Sequence, residues 1–160
     1  MAVSFAALRT VVVVSAFVWL WTAAALWARR FDSLFGGALP AWTPALGVAA
    51  LAAGVPLALT CAVLFAIRGN GTPAPFDPPR TFVASGPYRA VRNPMYVGGW
   101  LTIAGVALVM RSTGIVVLSL VALLAAHLFV ILYEEPTLTA KFGASYDRYR
   151  ATVPRWIPQW

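Results

Sequence analysis

The chain carries five side-chain carboxylates and one histidine, and three of these six groups lie between residues 127 and 135: His127, Glu134 and Glu135. His127 precedes Glu134 by seven residues. On a helix that is two turns, so both project from one face, about 10 Å apart along the axis. A lone histidine in a membrane helix either hydrogen-bonds another helix or meets a substrate. The pair Glu134-Glu135 closes an apolar run and precedes Pro136, which reads as a new helix start. Carboxylates at the C-terminal end of a helix oppose its dipole, so a cation is expected beside them. Either a loop arginine (Arg89 or Arg92) or a bound cationic ligand would serve. With no second histidine and so few carboxylates, no metal centre is expected. The lone Cys61 sits in an apolar run and reads as a small buried hydrophobe, excluding an internal disulfide.

The other polar cluster is SGPYRAVRNPMYVGG, residues 85–99. Gly86-Pro87 marks a turn, and Asn93-Pro94 reads as a helix start, with Asn93 as N-cap and Pro94 at the first helical position. A helix N-terminus beside Arg89 and Arg92 suits a carboxylate or a phosphate. It equally suits an ordinary capped helix whose arginines meet lipid phosphates. The proline-rich stretch before it reads as an extended linker through Pro79. The tail, with Phe142, Tyr146, Tyr149, Trp156 and Trp160, reads as a partly helical amphipathic segment. It is expected at the membrane surface, able to fold back over the site. A guanidinium-rich segment meeting an acidic pair would hold a zwitterion.

These groups need elements to position them. The chain is 61% hydrophobic and 11% charged, the composition of an integral membrane protein. The net charge of +7 comes from arginines at the ends of apolar runs, with no basic stripe, so no nucleic-acid partner is expected. Four apolar runs span residues 10–28, 44–67, 95–110 and 114–133. An all-α polytopic fold of about four transmembrane helices with a C-terminal amphipathic segment follows. The first run also has features of a signal peptide, but its length and Trp19, Trp21 and Trp27 suit a retained helix. The third is short and must stand untilted or have an end buried in protein. Outside the spans, nine Lys and Arg fall on the side of the termini and the 68–94 loop, against Arg29, Arg30 and Arg111 on the other. The positive-inside rule places both termini and that loop in the cytoplasm. Small residues at 50, 54, 58 and 62, and at 98, 102 and 105, suit close helix packing, and Pro56 suits a kink. The chain divides into an N-terminal helix pair, 1–68, and a loop, hairpin and tail, 69–160.

The quoted stretch, a helical hairpin, the pair EE and then FGASYDRYRATVPRWIP together resemble the isoprenylcysteine carboxyl methyltransferase-like family, to which the phospholipid methyltransferases are related. The likeness covers about residues 80–158. It implies a membrane methyltransferase that binds S-adenosylmethionine and acts on a lipophilic or small acceptor, an isoprenylcysteine-like carboxylate, a lipid amine or a thiol. It assigns cofactor binding to Arg80, Thr81, Phe82, Val83, Tyr88, Asn93 and Glu134. For the acceptor side the residues themselves, apart from the resemblance, suggest Tyr96, His127 and Glu135. Two positions depart from the pattern. Asn93 stands where the family has histidine, and Val130 stands where the prenylcysteine enzymes have arginine. The other class kept open is a non-catalytic four-helix membrane protein that binds lipid or a partner.

Overall fold

The computed structural model describes residues 2–65, 67 and 84–159. Arg80, Thr81, Phe82 and Val83 lie outside the described residues. Helix α1 (Ala2–Ala28) runs into a 3-10 turn at Arg29–Phe31, and α2 (Thr43–Leu64) follows. A second 3-10 turn, Gly86–Arg89, leads to the hairpin α3 (Pro94–Val109) and α4 (Thr113–Phe129). A π-helical turn, Val130–Glu134, joins α4 to α5 (Glu135–Phe142), and α6 (Ala144–Thr152) completes the described helices. Three helical stretches are long and apolar enough to cross a bilayer: Leu8–Phe31, Thr43–Leu64 and Thr113–Phe142. The shorter apolar helix is α3, whose 16 residues make a rod of about 24 Å.

That shortness is accommodated by protein. Along α3 only Val109 is exposed, while α1 and α4 present many large apolar side chains outward. The short helix is the bundle's axis, and its neighbours meet lipid.

α2 and α3 run antiparallel and touch backbone to backbone. A Cβ on Gly54 would lie 2.8 Å from the Gly98 carbonyl oxygen, and one on Gly98 would lie 2.7 Å from the Ala58 nitrogen. Gly47 and Gly105 meet in the same way one level along, at 2.8 Å. On α2 the buried residues Gly47, Gly54 and Cys61 form one row, and Gly54 and Ala58 of the expected four-residue row both meet Gly98 of α3, with Ala62 buried as well. A seven-residue repeat stays nearly in line on a helix, whereas a four-residue row drifts around it. Gly98→Ala is therefore expected to destabilise the bundle by about 1–3 kcal/mol, as overpacking against rigid backbone does. The measurement is a thermal melt in detergent; an unchanged melting temperature would contradict the close crossing.

At the far end the connections are stitched together. Asp32 Oδ1 accepts the Ser112 hydroxyl at 2.6 Å and the Gly114 N–H at 2.8 Å, and Ser112 Oγ caps α4 by accepting the Ile115 N–H at 3.2 Å. Arg111, in the left-handed region at φ 52°, donates from Nε to the Leu39 carbonyl at 2.7 Å. Gly114 allows α1 and α4 to meet, because a Cβ there would overlap the Ala28 carbonyl. Asp32 carries no motif, and sequence reading passed over it.

The rod from α4 to α5 differs from expectation. Glu134-Glu135 does not end a helix, because the π turn carries the chain through to Phe142. Pro136 has no N–H to give and its ring would crowd the carbonyl four residues back in an α-helix. The wider π turn relieves that conflict, so the proline is tolerated in a continuing rod. The real break comes at Gly143, φ 51° and ψ −132°, a conformation suited to glycine alone.

Candidate functional site

The hairpin's open end brings together the turn Gly86–Arg89, the start of α3, the π turn and the tail beyond α6. The tail folds back over this end and is tied there by several hydrogen bonds. Tyr149 donates its hydroxyl to the Tyr88 carbonyl at 2.6 Å. The Arg92 N–H donates to the Pro154 carbonyl at 2.8 Å, and Asn93 Nδ2 donates to the Arg155 carbonyl at 3.2 Å. The tail therefore lies across the beginning of α3 as a strap.

Asn93 occupies the N-cap position, as its sequence suggests, but its side chain makes no capping bond. It is turned instead onto the strap, and its neighbour Pro94 is fully buried beneath. The strap carbonyl holds the amide through its nitrogen, and in that orientation the side-chain oxygen does not accept from the N–H groups of the first turn.

The two glutamates are adjacent in sequence and opposite in circumstance. Glu135 is buried and neutralised. Arg155 grips it with both ends of the fork, Nε to Oε1 at 2.8 Å and Nη2 to Oε2 at 3.0 Å, and Arg92 Nη1 stands 3.1 Å from Oε1. The hydrogen bond to Glu135 is the main cause that raises the Arg155 pKa. Glu134 is half-buried and has one hydrogen-bond partner among the described residues, the Tyr96 hydroxyl, which donates to Oε2 at 2.8 Å. No cation lies within salt-bridge distance of it among the described residues. Of the cations considered from sequence, Arg92 meets the acidic pair, at Glu135 only, and Arg89 is exposed. Arg155 was missed: a single arginine in a tail of mixed character gives no local signal.

Tyr88 is buried against Cys61, Leu57, Leu64, Phe65 and Met95. Its hydroxyl has no nitrogen or oxygen partner among the described residues and lies beside the Cys61 thiol. Burial pushes the phenol far above the usual tyrosine range, so it stays a neutral donor. Ser85 Oγ and Arg92 Nε are likewise buried without a hydrogen-bond partner among the described residues. Buried donors without a nitrogen or oxygen partner are uncommon, and three of them fall in this one short stretch among the described residues.

His127 and Glu134 are linked through the strap. Trp156 donates its indole N–H to His127 Nδ1 at 3.0 Å, and its ring meets Tyr96 edge-on at 6.4 Å. Tyr96, His127, Glu134 and Glu135 are thus drawn to one end of the hairpin with Tyr88 and Asn93. Among the described residues no cluster of three metal-ligating side chains forms. The arrangement is an acidic cradle beside unfilled donors, closed by a strap and set at the edge of a membrane bundle.

No protein of curated function matches the chain. The family model described as phospholipid methyltransferase matches residues 42–145, from the start of α2 through the hairpin and the glutamate pair to the start of α6. The chain belongs to this family of membrane methyltransferases.

Proposed function

We propose that the protein is an S-adenosylmethionine-dependent methyltransferase whose cofactor lies between the turn Gly86–Arg89, the start of α3 and the π turn. One observation carries the reading: Glu134 is a half-buried carboxylate with no cation at salt-bridge distance among the described residues, next to a glutamate that two guanidinium groups already satisfy. A cationic ligand is what such a carboxylate lacks. S-adenosylmethionine supplies an ammonium group, a carboxylate and a methyl group on a sulfonium that a nucleophile can take.

In this reading Glu134 holds the ammonium, with Tyr96 orienting the carboxylate by its hydrogen bond. The Tyr88 hydroxyl and Ser85 Oγ offer donors to the remaining polar atoms. Arg80, Thr81, Phe82 and Val83 would contribute from the segment before the turn, as the resemblance implies. Asn93 acts by shape, holding the strap that keeps water out. Glu135 serves to anchor Arg92 and Arg155, which fits it poorly for contact with an acceptor.

The acceptor would be a lipophilic or small nucleophile that enters from the lipid. Catalysis would be mainly positioning in a dry cavity. An amine or thiol must lose a proton, to water or a neighbouring base, whereas a carboxylate need not. Val130, fully buried at the π turn, places no cation where prenylcysteine enzymes have arginine, which disfavours that acceptor. The distribution of arginine supports a cytosolic site with both termini on the same side.

Isothermal titration of the detergent-purified protein with S-adenosylhomocysteine is the test. Saturable binding with one site per chain is expected. Absence of binding at millimolar ligand would remove the proposal.

A further inference from the structure

The Trp156–His127 bond has a chemical consequence for the acceptor. An indole N–H can only donate, so His127 Nδ1 must carry a lone pair, and the proton of the neutral ring sits on Nε2. Nε2–H has no hydrogen-bond partner among the described residues. The helix around it is apolar and open to lipid: Leu124 is 58% exposed and Leu128 47%. A polar donor held at such a boundary is unfavourable until an acceptor atom meets it.

From that boundary a row of side chains leads inward. Trp156 touches both His127, with ring centres 5.9 Å apart, and Tyr96, whose hydroxyl reaches Glu134. Trp100 follows Tyr96 by four residues and so shares its face of α3, opposite the face that Gly98 and Gly105 present to α2. Its indole N–H is also buried without a partner among the described residues. Meanwhile the guanidinium groups of Arg92 and Arg155 are turned onto Glu135. Trp156 spends its N–H on His127 and that of Trp100 is buried, so the donor this row leaves at the apolar boundary is the neutral His127 Nε2–H.

We propose that His127 binds the methyl acceptor through Nε2–H, taking an oxygen of a lipid-soluble molecule's phosphodiester or carboxylate group. Trp156 is the positioning residue that fixes the tautomer. This rests on the reading of the protein as an S-adenosylmethionine-dependent methyltransferase.

The test follows transfer of a labelled methyl group from S-adenosylmethionine in detergent, with two acceptor preparations titrated separately. One is the phospholipid fraction of a membrane extract, the other its lipid-soluble acid fraction; the fraction that is methylated identifies the source of the oxygen. His127→Phe is expected to raise KM for that fraction roughly tenfold, the loss of one hydrogen bond, with S-adenosylhomocysteine binding unchanged. His127→Gln places an amide nitrogen near the Nε2 position and recovers most of the loss. His127→Asn places it near Nδ1 and does not. Trp156→Phe keeps the ring, loses the N–H, and raises KM without altering the cofactor's Kd. An unchanged KM in His127→Phe, equal behaviour of the Gln and Asn variants, or loss of cofactor binding in His127→Phe would overturn the proposal. So would a wild type that binds S-adenosylhomocysteine and methylates neither fraction. A wild type that fails to bind S-adenosylhomocysteine would sink the cofactor reading instead.

Discussion

Glu134→Gln is expected to lower affinity for S-adenosylhomocysteine at least a hundredfold and to leave the folded bundle intact. Glutamine keeps an oxygen for the Tyr96 hydroxyl, so the one hydrogen bond that Glu134 makes in the described structure survives. What disappears is the charge. A carboxylate about 4 Å from an ammonium at an effective dielectric near 20 contributes about 4 kcal/mol, close to a thousandfold in affinity before desolvation is subtracted. Because no cation of the protein lies on Glu134 among the described residues, its neutralisation strands no internal partner. The thermal midpoint should accordingly stay near that of the parent. Titration calorimetry and a melt in the same detergent read the two quantities. Near-parent affinity would take Glu134 out of the cofactor site, and a collapsed melt would make it a structural residue.

The sequence showed the spans and the polar cluster, and it missed the ties between distant segments. Apolar runs are long-range averages, so four helices emerged from composition alone, while the length of the third left open whether it stands untilted or has an end buried in protein. Gly54 and Gly98 were visible as small residues. The expected four-residue ridge does meet α3 at Gly54 and Ala58, while Gly47 and Cys61, seven residues to either side of Gly54, extend the buried face beyond it. Pro136 reads as a helix start, and only the π turn before it shows how a rod passes through a proline. Asn93 has the residue type and position of a cap, yet a strap carbonyl 62 residues away takes its amide. Arg155 and Trp156 gave no signal of their roles, since a bidentate grip on Glu135 and a bond to His127 are properties of the fold-back. Local chemistry is legible where neighbours in sequence satisfy each other, and it fails where the partner arrives from elsewhere in the chain.

Glu135→Ala should do the opposite of Glu134→Gln, although the two residues are adjacent. Glu135 is the common anion of Arg92 and Arg155, and the side chains of Glu135 and Arg92 are each 9% exposed. Its removal leaves the Arg92 charge buried with no counter-ion, a change that destabilises by about 3–5 kcal/mol where such pairs are broken. The strap loses its firmest anchor at the same time, because Arg155 no longer has a carboxylate to grip. Arg155→Ala should cost less: its side chain is 32% exposed, and the Arg92–Glu135 contact remains. The ordering expected in a detergent melt is therefore Glu135→Ala well below Arg155→Ala, with Glu134→Gln near the parent. Limited proteolysis reads the strap separately, with early cleavage beyond α6 in both Glu135→Ala and Arg155→Ala. If Glu135→Ala melts with the parent and its tail resists protease, the buried triad does not hold the strap. The division between one glutamate that builds the site and one that serves it would then have to be given up.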